Sequence, residues 1–280
     1  MESFIIKKIL NNNVIIANHP THQEVVLIGK GIGFGKKQGD EITQQKAEKI
    51  FVLRNEKEQE QYKLLVNNVD EDFIELMNDV IHHIRKRIQG QLNEHIHIAL
   101  TDHLSFALKR MEQGMDLTNP FLIETKTLYP HEYAIAEEVV QIVADNTGVK
   151  LPVGEIGFIA LHIYSAITNK NLSEVNQYSQ LISQLIGIIE ESLNIKIDKE
   201  SVNYLRLLRH LRYTIDRVKS GEEVKEPEVL ANVLKNEYPV CYNLSWKVIK
   251  VMQQALKMKV YDAEAIYLTM HLQRLATKTK

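Results

Sequence analysis

Two stretches, TDHLSFALKRMEQG (101–114) and LRHLRYTIDRVKSG (208–221), decide the fold because each is a copy of the other. They align at an offset of 107 residues, which places His103 opposite His210 and ends both stretches on a glycine. A fixed offset between two anchored stretches predicts an internal repeat.

The repeat extends to a second pair of stretches, GEIGFIALHI (154–163) and AEAIYLTMHL (263–272), at an offset of 109. His162 matches His271 there, and each of these histidines follows a glutamate by seven residues and a Tyr-Pro pair by 33. Agreement at this many anchored positions favours a duplicated domain over chance.

From about residue 64 onward, apolar residues recur at three- and four-residue spacings, which is the period of amphipathic helices. The pattern is clear in DEDFIELMNDVIHHIRKRI (70–88) and returns in SVNYLRLLRHLRYTIDRVKSG (201–221). Prolines and glycines fall at the breaks between such segments. Each copy of the repeat is therefore predicted to be an all-α helical bundle.

The first 58 residues have a different pattern, in which short β-branched runs are separated by turn-forming residues. This pattern predicts a small antiparallel sheet. The runs are FIIKKIL (4–10), NVIIA (13–17), EVVLIG (24–29) and KIFVL (49–53). A unit of about 60 residues is only marginally stable alone, so we expect it to pair with a second copy.

The chain is thus predicted to be multidomain, with a small antiparallel β-sheet N-terminal domain followed by two duplicated all-α helical-bundle domains. The predicted boundaries are 1–60 for the sheet domain, 67–172 for the first bundle and 173–280 for the second. The charged, glutamine-rich RNEKEQEQYK (54–63) suits a linker or the solvated start of a helix.

Composition limits the kinds of surface, covalent cross-link and membrane segment that the chain can have. Lys and Arg number 34 against 36 Asp and Glu, a net charge of -2, so any basic surface must be local. The single cysteine, Cys241, excludes an internal disulfide and fits a reducing compartment. No apolar run reaches the roughly 18 residues of a membrane span, and the N-terminus lacks a signal-peptide core. We expect a cytoplasmic protein.

GKGIGFGKK (29–37), hereafter the glycine loop, contains four glycines and three lysines without an acid. It is not a P-loop, because Lys30 stands where the first glycine is needed and Lys37 where Ser or Thr is needed. GxGxxG fails too, since residue 36 is lysine. Two interpretations remain open on this stretch alone: a hairpin with solvated lysines, or a loop that lets nucleic acid approach the backbone.

The duplication selects four of the eleven histidines: His103, His162, His210 and His271. A lone histidine on an apolar helix face is usually structural, but retention at both positions of both copies favours a function. Metal binding lacks supporting cysteines and an HExxH motif. Nucleophilic catalysis would need one site rather than two similar ones. Reversible phosphorylation of imidazole, which adds charge and can rebuild an interface, is the third interpretation.

Taken together, these motifs resemble antiterminators of the BglG/SacY type, which regulate sugar-phosphotransferase operons. The resemblance covers the whole chain, and LNEHIHIALTDH (92–103) and SEVNQYSQL (173–181) are most similar to the glucose-operon branch. It rests on the joint occurrence of six motifs in order. They are KKILNNNVIIA (7–17), the glycine loop, ALTDHLSFALKR (99–110), GEIGFIALHI (154–163), LRHLR (208–212) and LTMHL (268–272).

The resemblance implies an RNA-binding co-antiterminator domain followed by two phosphotransferase-regulation domains. The residues implied to contact RNA are Lys8, Asn13, Gly29, Lys30, Gly31 and Phe34. Lys30 stands where many members have arginine, which keeps the charge but loses bidentate geometry. The implied phosphoacceptors are His103 and His162 in the first regulatory domain and His210 and His271 in the second.

The partners implied are an RNA hairpin (the ribonucleic antiterminator) that overlaps a terminator, and a second copy of the chain. Phosphoryl donors would be the sugar-specific transporter, through its EIIB domain, and the general phosphocarrier HPr. No cofactor, metal or enzymatic activity is expected. Two other classes stay open: a phosphocarrier that relays phosphoryl groups, and a DNA-binding activator with the same regulatory domains.

Overall fold

The computed structural model describes residues 3–19, 24–47, 49–52, 64, 69–223 and 228–277. Within these ranges the chain forms a five-stranded sheet and then ten α-helices, which confirms the predicted sheet followed by helical domains. The predicted linker at 54–63 lies outside the described residues. The chain divides into two compact units: the first holds Met1–Thr118 and Ala134–Asn169, and the second holds Asn119–Tyr133 and Lys170–Lys280.

The sheet is antiparallel throughout, with strand order β4-β1-β2-β3-β5. Its strands are β1 (Ser3–Ile9), β2 (Val14–Asn18), β3 (Glu24–Ile28), β4 (Glu41–Thr43) and β5 (Lys49–Val52). The four predicted runs are all strands, whereas β4 was missed. With only three residues it carries no alternating pattern, and it forms because Phe4 of β1 pairs with its Ile42.

Both faces of the central strands are buried. On one face, Val14 and Ile16 of β2 join the neighbouring β3 residues and Ile74, with Ile98 packed alongside. On the other face, Ile15 lies in a second cluster with residues from β1, β3 and β4. The helical part of the first unit therefore packs on the sheet. This packing buries apolar surface of the sheet that a sheet of this size alone would expose.

The helices of the first unit position its histidines. The bounds are α1 (Glu71–Arg87), α2 (Ile96–Glu112) and α5 (Val153–Thr168), together with most of α4 (Pro130–Thr147). Helix α2 packs on α5. His103 lies on α2 and His162 on α5, so this packing brings the predicted histidines of the first copy to one interface.

The second unit has the equivalent arrangement. Its helices are α3 (Leu122–Leu128), α6 (Leu172–Leu193), α7 (Val202–Ser220), α8 (Glu228–Glu237), α9 (Pro239–Leu256) and α10 (Asp262–Thr277). Helix α7 carries His210 and packs on α10, which carries His271. In the part of the chain that the structure describes, no helix is long and apolar enough to cross a membrane.

The ends of α2 and α7 show that the repeat extends to local geometry. Gly114 and Gly221 have φ angles of +70° and +72°, a left-handed conformation that favours glycine. The backbone N–H of Met115 donates to the Arg110 carbonyl at 2.9 Å. In the second copy, the backbone N–H of Glu222 donates to the Arg217 carbonyl at 3.1 Å. Both helices thus end in a Schellman turn.

Residues 119–133 belong to the second unit, although the sequence placed them within the predicted first bundle. Glu124, on α3, is 1% exposed. Its Oε1 accepts hydrogen bonds from Lys199 Nζ at 2.9 Å and from the Tyr204 hydroxyl at 2.7 Å. Leu128 packs on the same core. A buried carboxylate and an apolar contact therefore hold this segment in the second unit.

Candidate functional site

The first histidine pair lies on two helices, α2 and α5. On α2, Arg110 follows His103 by seven residues, and on α5, Glu155 precedes His162 by seven, a spacing that keeps side chains on one helix face. The rings of His103 and His162 lie 4.9 Å apart between centroids. Nε2 of His103 is 2.9 Å from Oε2 of Glu155, and Oε1 of Glu155 accepts from Nη2 of Arg110 at 2.6 Å. Glu155 is 2% exposed, so the cluster lies inside the bundle.

Burial sets the electrostatics of this cluster. It lowers the pKa of His162 to about 3, and repulsion from His103 and then His95 adds to the effect. Burial alone would raise the pKa of Glu155, but the contacts with His103 and Arg110 outweigh it and hold that pKa below its ordinary value. At neutral pH the site therefore contains a neutral imidazole at 162 and an ionised carboxylate at 155.

The second histidine pair repeats this arrangement with one difference. The rings of His210 and His271 are stacked, 4.7 Å apart between centroids at an interplanar angle of 27°. Glu264 accepts two hydrogen bonds from Arg217, both at 2.8 Å, and one from the Thr214 hydroxyl at 2.7 Å. Nε2 of His210 stands 3.8 Å from Glu264, beyond hydrogen-bond distance.

Both rings of the second pair are held neutral. Burial and then the neighbouring His271 lower the pKa of His210 to about 4, against the opposing effect of Glu264. Burial, followed by Arg274 and Arg206, lowers the pKa of His271. A neutral imidazole carries a lone pair on one nitrogen and can act as a nucleophile.

Sequence reasoning missed the two arginines that bind the glutamates of these clusters. Arg110 and Arg217 align at the same offset of 107 as His103 and His210, and each follows its histidine by seven residues. That spacing places each arginine two turns along the face of its histidine. The signal was therefore present in the repeat. No set of three or more His, Cys, Asp or Glu residues in the described ranges is arranged to hold a metal ion.

The glycine loop is a succession of tight turns. The backbone amides of Ile32, Phe34 and Lys36 each donate to the carbonyl three residues earlier, at 3.0 to 3.2 Å. Gly31 and Gly35 have φ angles of +66° and +67°, which residues with a side chain rarely adopt. Glycine is thus needed at these positions for the conformation of the loop.

Gly33 has a different role, because its φ angle is ordinary but its surroundings are crowded. A Cβ at this position would lie 2.5 Å from the backbone oxygen of Asn11 and 3.2 Å from the side chain of Ile9. The Gly33 amide also donates to the Asn12 carbonyl at 2.8 Å. This close approach fastens the glycine loop to the turn between β1 and β2.

Asn13 fixes the start of the loop. Its backbone oxygen accepts from the Gly29 amide at 3.0 Å, and its side-chain Oδ1 accepts from the Gly31 amide at 2.7 Å. The structure thus brings together three of the residues predicted to contact RNA. The Asn13 side-chain oxygen is thus engaged within the protein.

The other three predicted residues are exposed around the loop. Phe34 is 76% exposed, an unusual state for a phenylalanine ring. The Lys30 side chain is 79% exposed, and its Nζ lies 3.6 Å from Glu75 on α1. Lys8 is exposed on β1, next in the chain to Ile9, which packs beneath Gly33.

Comparison with known proteins identifies the domain families that contain these residues. A family model of the CAT RNA-binding domain matches residues 4–60, and a model of the PRD domain matches residues 78–166 and 183–275. The glycine loop falls in the first match, and one histidine pair falls in each of the other two.

Several relatives match over nearly their full length. The PtsGHI operon antiterminator of Bacillus subtilis (strain 168) is 60% identical, over 99% of this chain and 98% of that protein. The GlcA/glcB genes antiterminator of Staphylococcus carnosus (strain TM300) is 42% identical, over 97% of this chain and 96% of that protein. A solved structure described as "Crystal structure of GlcT CAT-PRDI" is 60% identical, with a TM-score of 0.55, and covers 60% of this chain and 99% of its own.

Proposed function

This chain belongs to the family of transcriptional antiterminators that join a CAT RNA-binding domain to two PRD domains, and from that premise we propose how it acts. As a dimer it binds an RNA hairpin that overlaps a terminator. The bound hairpin prevents the terminator from forming, so transcription continues into a sugar-uptake operon, with glucose as the sugar that the relatives suggest. This action on nascent RNA would take place in the cytoplasm.

The observation that carries the RNA-binding part is the exposed Phe34 on a hydrogen-bonded glycine turn. An exposed ring provides a stacking surface for an unpaired base, and stacking of this kind contributes about 1–3 kcal/mol per base. Gly29 and Gly31 have no side chains that would keep RNA from their backbone, while Lys8 and Lys30 supply positive charge for phosphates. Asn13 holds the loop in this shape through its bond to Gly31.

The four histidines supply the control. His103 and His162 would accept phosphoryl groups from the sugar-specific transporter, through EIIB, and His210 and His271 from HPr. Each phosphoryl group adds about -1.5 to -2 charges. Such a charge at an interface between two copies would repel its counterpart, whereas one near arginines would be attracted. From the family resemblance, we expect the first regulatory domain to inhibit and the second to activate.

Dimerisation is part of the proposal because one small sheet offers a limited surface for a hairpin. Two copies related by a twofold axis would present two glycine loops and double the basic surface. Control of RNA affinity through control of dimerisation then needs no contact between a histidine and RNA.

The first experiment tests RNA binding. The full chain should shift an antiterminator RNA hairpin in a gel and should not shift the DNA duplex of the same sequence. Phe34→Ala should weaken RNA binding by about 5- to 150-fold, from the loss of about 1–3 kcal/mol of stacking. Tyr213→Ala, which removes another exposed aromatic ring (62% exposed, against 76% for Phe34) from α7, should leave the affinity unchanged. Equal binding of the duplex would favour a DNA-binding activator instead.

The second experiment maps phosphohistidine after incubation with phosphorylated HPr and with candidate transporters. Labels at His103, His162, His210 or His271 support the assignment, and labels confined to other histidines contradict it. Onward transfer of the phosphoryl group to a further protein would favour the phosphocarrier interpretation.

A further inference from the structure

The contact between α7 and α10 has two different ends. At one end, Glu264 of α10 accepts hydrogen bonds from Thr214 and Arg217 of α7. At the other end, the Asn203 side chain of α7 donates to the Arg274 carbonyl of α10 at 3.3 Å. The two helices therefore run antiparallel, and the stacked histidine rings lie between the two ends.

Two arginines flank the histidine rings at the end away from Glu264. Arg206 precedes His210 by four residues on α7, and Arg274 follows His271 by three residues on α10. These spacings place each arginine one turn from the histidine of its own helix, on the same side of that helix. Because the helices are antiparallel, both arginines lie at the same end of the histidine pair.

Both guanidinium groups act on His271 and are open to solvent. After burial, the charges of Arg274 and Arg206 are what lower the pKa of the His271 ring. Both arginines are exposed, and within the part of the chain that the structure describes neither forms an ion pair with a carboxylate. His271 is itself partly exposed, so an anion can approach its ring from solvent.

The first copy of the repeat lacks both arginines. Ala99 stands opposite Arg206 at the offset of 107, and Ser165 stands opposite Arg274 at the offset of 109. The ring that matches His271 is also less accessible, because His162 is 8% exposed. The repeat therefore gives only the second copy a pair of arginines at these positions.

We propose that Arg206 and Arg274 form a binding site for a dianionic phosphoryl group at His271. This inference rests on the proposed function and deepens it, because it names the residues that hold the phosphoryl group once His271 carries it. A guanidinium pairs with phosphate oxygens through two parallel hydrogen bonds, which are stronger than bonds between neutral groups. A phosphoryl group held from α7 and from α10 at once would fasten these two helices together.

The site explains how one modification can have different effects in the two copies. In the second copy, the added charge of about -1.5 to -2 meets two guanidinium groups. In the first copy, Ala99 and Ser165 offer no positive charge at the same positions. A phosphoryl group should therefore order the α7–α10 contact and leave added negative charge uncompensated at the equivalent positions of α2 and α5.

The test uses the full chain with inorganic phosphate as the probe, so that the anion site is measured without a phosphoryl donor. NMR signals of the histidine ring protons report an anion near each ring, and chloride keeps the ionic strength constant during the titration. Phosphate should shift the signals of His271 in a saturable way and leave those of His162 in place. An unshifted His271 would overturn the inference.

A double variant removes the two arginines. Arg206→Gln with Arg274→Gln should weaken phosphate binding at His271 severalfold, because both charges and their paired hydrogen bonds are lost. Lys235→Gln with Lys250→Gln removes the same number of charges from exposed positions on α8 and α9, and should bind phosphate as the unmodified chain does. Equal weakening by the two double variants would indicate attraction by net charge alone and overturn the inference.

A gel shift with the antiterminator hairpin excludes a different ligand. The chain with Arg206→Gln and Arg274→Gln should bind the hairpin as tightly as the unmodified chain. A loss of RNA affinity would assign these arginines to the phosphates of RNA and overturn the inference.

The outcomes separate the inference from the proposed function. If inorganic phosphate binds as expected while phosphorylated HPr and the transporters modify none of the four histidines, the anion site stands and the proposed function fails. If the histidines are modified while inorganic phosphate leaves His271 unaffected, the proposed function stands and the inference fails.

Discussion

At the scale of the residue, a glycine and a histidine make the most specific demands. Gly33 has no room for a Cβ, and the atom in the way is a backbone oxygen rather than the end of a flexible side chain. His162 is buried as a neutral ring, and two other histidines, His103 and His95, further disfavour its charge. Each feature can be tested by a single substitution.

Gly33→Ala should displace the glycine loop from the turn between β1 and β2. The new methyl group would overlap the Asn11 carbonyl, and overpacking of this kind costs about 1–3 kcal/mol. We expect a lower urea midpoint and weaker RNA binding. Gly187→Ala is the matched control, because a Cβ there meets nothing within 4 Å and alanine favours a helix by up to about 1 kcal/mol. Equal stability of both variants would contradict the crowding at Gly33.

The buried histidines should make the fold sensitive to acid. The folded pKa of His162 is about 3 against an ordinary value of 6.5, so between these pH values only the unfolded chain takes up the proton. Stability is therefore lost as the pH falls from 6.5, by about 1.4 kcal/mol per pH unit for one such group.

His162→Gln removes this proton uptake. Between pH 7.5 and pH 5.5, the free energy of unfolding of the variant should therefore fall by about 1 kcal/mol less than that of the unmodified chain. Urea unfolding at the two pH values measures the difference. The same loss in both proteins would show that His162 is not buried as a neutral ring.

The residue scale also shows the limit of sequence reasoning. The offset of the repeat selected the four histidines, and it could equally have selected Arg110 and Arg217. The contacts of Glu155 with His103 and Arg110 could not be read in this way, because they depend on how the buried side chains meet. Side-chain geometry of that kind appears only when α2 is packed on α5.

At the scale of the element, the contact of α1 with the glycine loop has a functional consequence. Glu75 lies 3.6 Å from Lys30, and we expect it to compete with RNA phosphates for that charge. Both side chains are more than half exposed, so the pair contributes at most about 1 kcal/mol and salt screens it.

Glu75→Gln should therefore strengthen RNA binding by up to about fivefold at low salt, and the gain should shrink as salt is added. Binding isotherms at two salt concentrations measure this. Asp79→Asn, which makes the same charge change one turn further along α1, should have a smaller effect. An equal gain from both variants would indicate a general effect of charge rather than the contact with Lys30.

Elements were predicted where their pattern was long and missed where it was short. The β-branched runs identified β1, β2, β3 and β5, and apolar periodicity predicted that the chain beyond residue 64 is helical. The short strand β4 carries too few residues for a pattern, and it depends on its pairing with β1. The place of residues 119–133 in the second unit could not be predicted from the sequence either, because it depends on the hydrogen bonds that the buried Glu124 accepts.

At the scale of the whole molecule, duplication was the most informative signal. It predicted two helical domains behind a sheet, and the fold confirms that order. The family resemblance drawn from six motifs is confirmed by the matches to the CAT RNA-binding and PRD domains. The four histidines and the RNA-contacting residues stay predictions about function, and so does the dimer.

Charge at His103 is expected to switch off RNA binding by a surface that His103 does not form. His103→Asp places a carboxylate beside Glu155 and imitates the charge of a phosphoryl group. The measurement is the affinity of the full chain for the antiterminator hairpin, beside His131→Asp as a control with the same change at an exposed position. We predict that His103→Asp binds at least about tenfold more weakly, a loss of about 1.4 kcal/mol, and that His131→Asp binds normally. Unchanged affinity of the His103→Asp chain would contradict the account.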